Sequence, residues 1–198
     1  CQVGFFTSSG LRELSYGLVA FIENSDSPIK LLVSPYISPE DQKAIEDGLK
    51  QMQEVAETEL AKIFEESDLL DDLQRHTKKC LAYLIANERL QMKVVFGEKG
   101  QFHVKEWIFK QGNDVILLKG SANLTAAGTR NNYESMDLSL SWLDDRDKER
   151  CEIAENTFDK FWDRTHHWGK VVDMPDAVRE KILLNEDTNE KPSFQDFG

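Results

Sequence analysis

The stretch Phe102-His-Val-Lys-Glu-Trp-Ile-Phe-Lys-Gln-Gly-Asn-Asp-Val-Ile-Leu-Leu-Lys-Gly-Ser-Ala-Asn123 holds two strands and the turn between them. Apolar and polar residues alternate from Phe102 to Phe109, Gly112-Asn-Asp marks a turn, and Val115-Ile-Leu-Leu118 is a short apolar run. Further strands are expected at Ile29–Ser34, Met92–Phe96 and Met136–Trp142, the last alternating cleanly. Helical spacing covers Leu11–Ile22, Lys148–Trp162 and Pro175–Leu184. Two more helices fill the interval between the Ile29 and Met92 strands. The first opens with Ser38 as N-cap and Pro39 at the first helical position. Its apolar stripe is Ile45, Leu49, Met52, Val55, Ala56, Leu60 and Ile63. The second runs from about Leu69 to Arg89 with Leu73, Cys80, Leu81, Leu84 and Ile85 inward. This order describes an α/β domain: a mixed central β-sheet flanked by helices, with a helical insertion. No repeat recurs at a fixed period.

The 198 residues, 40% of them hydrophobic, suit one domain with a sizeable elaboration and rule out global disorder. The expected division is a main domain over 1–172, with an acidic helical elaboration at 40–90, and a C-terminal helix and tail over 173–198. The polar end of the chain and the opening Cys1 read as a domain cut from a longer protein. No apolar run approaches the ~20 residues that span a bilayer, and no basic segment precedes an apolar one at the N-terminus. Three widely spaced cysteines, Cys1, Cys80 and Cys151, suit a reducing cytoplasm better than a disulfide framework or a structural metal site.

The net charge of −12 argues against diffuse coating of DNA or RNA. Its distribution narrows that exclusion. Residues 40–75 hold 12 acidic and 4 basic side chains, which read as a solvated helix face, whereas residues 76–172 hold 14 and 15. A local phosphate site in the central segment stays open.

The four histidines fall into three settings. His166 and His167 end a helical pattern, where a structural role is expected. His76 and Lys78 lie two apart in a helical pattern, about 200° apart around the axis, so they cannot converge on one ligand; His76 is expected on the helix surface. His103 and Lys105 lie two apart in an expected strand, on one face and some 6–7 Å apart, within reach of one phosphate. Gly120-Ser121-Ala122-Asn123 then ends an apolar strand, where small residues let a ligand approach the backbone. Thr125 adds a hydroxyl, and Asn132-Tyr-Glu134 precedes the next strand. A buried Glu134 carboxylate there would fix the His103 tautomer and sharpen its nucleophilicity.

His103-x-Lys105, Gly120-Ser-x-Asn123 and Asn132-x-Glu134, in that order, resemble the half-site of the phospholipase D (HKD) superfamily. The pattern departs at one position: the family's Asp, five positions after the lysine, is replaced by Lys110, with Asp114 displaced into the turn. Gly4-Phe-Phe-Thr-Ser-Ser-Gly-Leu11, Asp72-Leu-Gln-Arg75 and Phe158-Asp-Lys-Phe-Trp162 are similar to PLD-like domains attached to bacterial helicases and restriction or defence enzymes. The resemblance implies a phospholipase D-like fold and a phosphodiesterase that uses neither metal nor cofactor. His103 would be the nucleophile, Lys105 and Asn123 would neutralise phosphate oxygens, and Glu134 would orient His103. Ser121, Gly120, Thr125 and Asn132 would line the substrate. One half-site per chain implies a homodimer sharing a single active site. The expected substrate is nucleic acid, DNA before RNA, with no membrane partner and a fusion to a helicase or other DNA-processing domain. The alternatives are a PLD-like dimerisation or docking domain and a lipid phosphodiesterase.

Overall fold

The computed structural model describes residues 1–3, 13–34, 52–64, 72–97, 100, 102–123, 132–183 and 188–193. Seven strands form one mixed sheet: β1 (Gln2–Val3), β2 (Ile29–Val33), β3 (Leu90–Gly97), β4 (Lys105–Gln111), β5 (Asp114–Gly120), β6 (Met136–Leu140) and β7 (Gly169–Asp173). Their spatial order is β6-β5-β4-β1-β2-β3-β7. β1, β2 and β3 run parallel at the centre. β4, β5 and β6 form an antiparallel meander on one side, and β7 closes the other edge antiparallel to β3. Five helices complete the described chain: α1 (Ser15–Asn24), α2 (Met52–Phe64), α3 (Asp72–Ala86), α4 (Asp145–Trp162) and α5 (Asp176–Leu183). The protein is therefore α/β, a mixed sheet flanked by helices.

Strand alternation sorts the core into two layers. Val3, Leu31, Val33, Met92, Val94 and Phe96 face α1, α2, α3 and α5 in the larger cluster. Leu32, Val95 and Val171 face the opposite way, onto Phe158, Phe161 and Trp162 of α4. Val115 and Leu117 extend that second layer under Cys151 and Ala154. The near-continuous apolar run Leu31-Leu-Val33 is what a strand covered on both faces requires. Cys80 and Cys151 are buried and form no disulfide.

α4 starts and stops by local chemistry. The Asp144 carboxylate accepts from the Asp147 N–H at 2.8 Å as N-cap. Asp147 in turn accepts from the Leu140 N–H at 3.1 Å, fastening the helix start to the end of β6. At the other end Lys93 donates to the Trp162 carbonyl at 2.8 Å, a cation on a helix C-terminus, and lies 4.6 Å above the Trp162 ring.

Several sequence expectations shift. His76 is buried on α3, not on the surface, because it shares a stripe with Thr77, Cys80, Leu84 and Ile85. Val178 and Ile182 of α5 are buried among α2 and α3, so this helix belongs to the main core, and the expected boundary at 172/173 falls inside β7. β1 and β7 had no sequence expectation; two residues and a run opening on glycine are too short and too plain to signal strands. The first part of the acidic helix, 38–51, the Gly4–Leu11 motif and the segment 65–70 lie outside the described residues. Among the described residues no helix is long and apolar enough to cross a membrane.

Candidate active site

The carboxyl ends of β1, β2 and β3, the start of β4, the end of β5 and the start of β6 meet at one end of the sheet. Open α/β sheets bind ligands beyond the carboxyl ends of their parallel strands. Every described residue of the His-x-Lys, Gly-Ser-x-Asn and Asn-x-Glu motifs stands at this end.

Lys105 is the first residue of β4 and pairs with Val3, so its side chain lies on the α1 face of the sheet. It is buried, and its Nζ turns back to donate to the His103 carbonyl at 3.1 Å. Burial pushes the Lys105 ammonium below the usual lysine range, and the Glu134 carboxylate pulls it partly back. His103 differs from expectation. It precedes β4 instead of lying in it, and it is exposed while its neighbour Phe102 is buried. The same-face geometry of a strand therefore does not relate His103 to Lys105. The contact between them runs through the His103 backbone.

Glu134 is the hub of the other motifs. Ser121 donates its hydroxyl to one carboxylate oxygen in a short hydrogen bond, and Asn132 donates to the other at 3.1 Å. These two bonds, chiefly the one from Ser121, with Lys105 adding charge attraction, hold the Glu134 carboxyl below its usual range against a smaller opposing effect of burial. A bond from His103 to Glu134 was expected; the bonds described at Glu134 come from Ser121 and Asn132. The carboxylate is only half-buried, and its charge faces Lys105. Ser121 also bridges the strands: its N–H donates to the Ser135 carbonyl at 3.0 Å, and its hydroxyl accepts from the Ser135 N–H at 3.1 Å.

Gly120 lets two strands close together at this end of the sheet. A Cβ there would lie 2.2 Å from the Ser135 carbonyl oxygen, so only glycine lets the end of β5 come this close to the entry of β6. Asn123 follows two residues after Ser121, half-buried, and Thr125 lies outside the described residues. Lys110, standing where the half-site pattern has Asp, donates to Glu155 of α4 at 2.7 Å. That position ties β4 to α4 and takes no part in the motif cluster.

Two features escaped the sequence reading. Glu106, next to Lys105 but on the opposite face, is buried and held at 2.6 Å by both Gln2 and Lys119. The Lys119 pair is legible once the Gly112 turn sets the hairpin register, because Glu106 and Lys119 are then directly opposite. The second is an aromatic cluster beside His103. Phe102 packs against Phe161 and Trp168 with ring centroids 5.2 and 6.1 Å apart. Only the sheet, through β7, brings Trp168 to this end.

The site therefore offers an exposed imidazole, a buried ammonium and a carboxylate held by two donors. Such groups are chemically able to neutralise anionic oxygens and to supply a nitrogen nucleophile. Among the described residues no three His, Cys, Asp or Glu side chains gather at metal-ligand spacing. No family model matches the chain, and no curated protein matches it.

Proposed function

We propose that this chain is a metal-independent phosphodiesterase of the phospholipase D-like kind, a nuclease acting on DNA in preference to RNA. One half-site per chain would be completed in a homodimer. The observation that carries this reading is the convergence of Lys105, Ser121, Asn132 and Glu134 at the sheet end where His103 stands exposed.

In this mechanism a ring nitrogen of His103 attacks phosphorus. A P–N bond forms as the P–O bond to the leaving strand breaks, and the imidazole of the partner subunit's His103 protonates the departing oxygen. That imidazole, now neutral, removes a proton from water. The water oxygen attacks phosphorus, the P–N bond breaks, and His103 is restored. Lys105 and Asn123 neutralise the non-bridging oxygens as charge builds on them. Glu134, fixed by Ser121 and Asn132, favours the charged form of Lys105 against its burial. It acts on the ammonium instead of on the imidazole.

The test is cleavage of single- and double-stranded DNA in EDTA. Wild type should cleave, and His103→Ala, altering an exposed side chain, should lose about 10³-fold or more of the rate with its fold intact. Cleavage that needs Mg²⁺, or that His103→Ala retains, overturns the mechanism. Full activity from a sedimenting monomer overturns the shared site. Dimerisation and DNA binding without cleavage would leave a docking domain.

A further inference from the structure

Beyond α4 the chain folds back on itself. Arg164 takes a left-handed backbone at φ 60°, and the Thr165 and His166 N–H groups both donate to the Lys160 carbonyl, at 2.9 and 3.0 Å. This reversal lays His166 flat on Phe161, with centroids 4.0 Å apart and planes 13° apart. His167 continues the stack on His166 at 5.0 Å and 9°. The Trp168 N–H donates to His166 Nδ1 at 3.2 Å and fixes that ring's orientation. Trp168 stands edge-on to Phe161 and rests over Gly97, where a Cβ would meet its ring at 2.6 Å. Glycine at 97 makes room for the indole.

This arrangement exceeds what a helix end requires. Three parallel rings form a ladder whose inner member, Phe161, is buried, while its outer member, His167, is exposed. Two stacked imidazoles repel when both are protonated. Burial, helped by His167 and Lys160 nearby, holds the His166 imidazole below the usual histidine range, so it favours the neutral form. Trp168 keeps 37% of its surface exposed at the same place. The ladder lies at the site end of the sheet, because Gly169 pairs with Gly97 at the carboxyl end of β3. It also touches Phe102, one Cα step of about 3.8 Å from His103.

We infer that the Phe161–His166–His167 ladder, with Trp168, is a stacking platform for an unpaired nucleobase next to the phosphate that His103 attacks. The inference rests on the phosphodiesterase reading for the phosphate and names the substrate further as single-stranded nucleic acid. Bases stack on aromatic faces whatever their identity, so the platform is sequence-tolerant. It requires an unstacked base, which a duplex does not offer without opening.

The experiment is equilibrium binding of a fluorescent single-stranded oligothymidylate by His103→Ala protein, beside the same oligonucleotide with abasic sites throughout. The base-bearing strand should bind about tenfold or more tightly than the abasic one. Adding His167→Ala should remove that difference and leave abasic binding unchanged. His167→Phe should keep it, and His167→Lys should lose it although it retains a positive charge. His167 is exposed, so these variants should fold, and circular dichroism checks that they do. Equal binding of both strands, or His167→Ala without effect, overturns the platform. Wild type that shows base-dependent binding but no cleavage refutes the nuclease reading and leaves the platform standing.

Discussion

The parallel and antiparallel halves of the sheet are built to different standards. β1, β2 and β3 are covered on both faces, by α1, α2, α3 and α5 on one side and α4 on the other. Among the described residues, β5 and β6 are covered by a helix, α4, on one face, while the start of β4 still reaches the larger core through Lys105 and Trp107. On the face away from α4 Phe109, Met136 and Leu138 are about half exposed, and Trp107 stacks on Phe109 at 6.3 Å and 10°. The covered half carries stability. The half-open one carries Lys105, Gly120 and the motif residues that follow. Separating the two roles leaves the site free to hold a buried ammonium, a group that costs stability.

The largest effect is expected from a cavity in the covered half. Leu84→Ala, at a fully buried position on α3, should destabilise the fold by about 2–5 kcal/mol in urea unfolding. It should leave the proposed DNA cleavage by the folded protein unchanged. A loss below about 1 kcal/mol would mean that the covered half is not the stabilising one.

Gly120→Ala comes next, at the junction of fold and site. The added methyl must displace the Ser135 backbone, so stability should fall by about 1–3 kcal/mol. Cleavage should fall as well, since Ser135 and Ser121 hold the Glu134 segment through paired hydrogen bonds. Unchanged activity in a folded Gly120→Ala protein would separate Glu134 from the reaction.

A smaller pair of effects has opposite signs within one site. Lys105 has a lowered folded-state value, so the folded chain gives up its proton first as pH rises. Lys105→Met should therefore be more stable than wild type near neutral pH. That advantage should shrink as pH climbs from the lowered lysine value toward ~10.4, the unfolded one. Glu134 also has a lowered value, but for a carboxylate this means stability that is fully present above ~4.3 and lost as pH falls through the folded value. Glu134→Gln should be less stable than wild type at neutral pH, and the gap should close in acid. Thermal unfolding across pH checks both, and equal pH profiles for both variants and wild type would contradict the assigned causes.

The smallest effect is expected on the open face. Phe109→Ser should change stability by no more than about 0.5 kcal/mol, because the ring is half exposed and belongs to neither buried cluster. A larger loss would show that this face contributes to the fold after all.

Much of the architecture was legible because it is periodic. The hairpin from Lys105 to Gly120, the strand at Met136 and the helix ending at Trp162 all follow from alternation, turn residues or helical spacing. His76 was misjudged because its spacing to Lys78 excludes a shared ligand but says nothing about which side of α3 faces the core. β1 was missed because it owes its strand geometry to β2 and β4, not to its own two residues. At the site, the motif residues and their order were readable, and their bonding was not. Glu134 answers to Ser121, Asn132 and Lys105 because Gly120 lets β6 approach β5, a contact between residues 15 apart in the chain.

Residue types and short-range spacing alone gave the α/β class, an ordered set of candidate site residues and the near-neutrality of the central segment within an acidic chain. It took the tertiary structure to show that His103 stands outside its strand, that Lys105 is buried against the His103 backbone, and that His166 and His167 stack on Phe161, which packs against Phe102. Those facts depend on how β4 pairs with β1 and β7 with β3, and long-range strand pairing leaves no periodic mark on either partner.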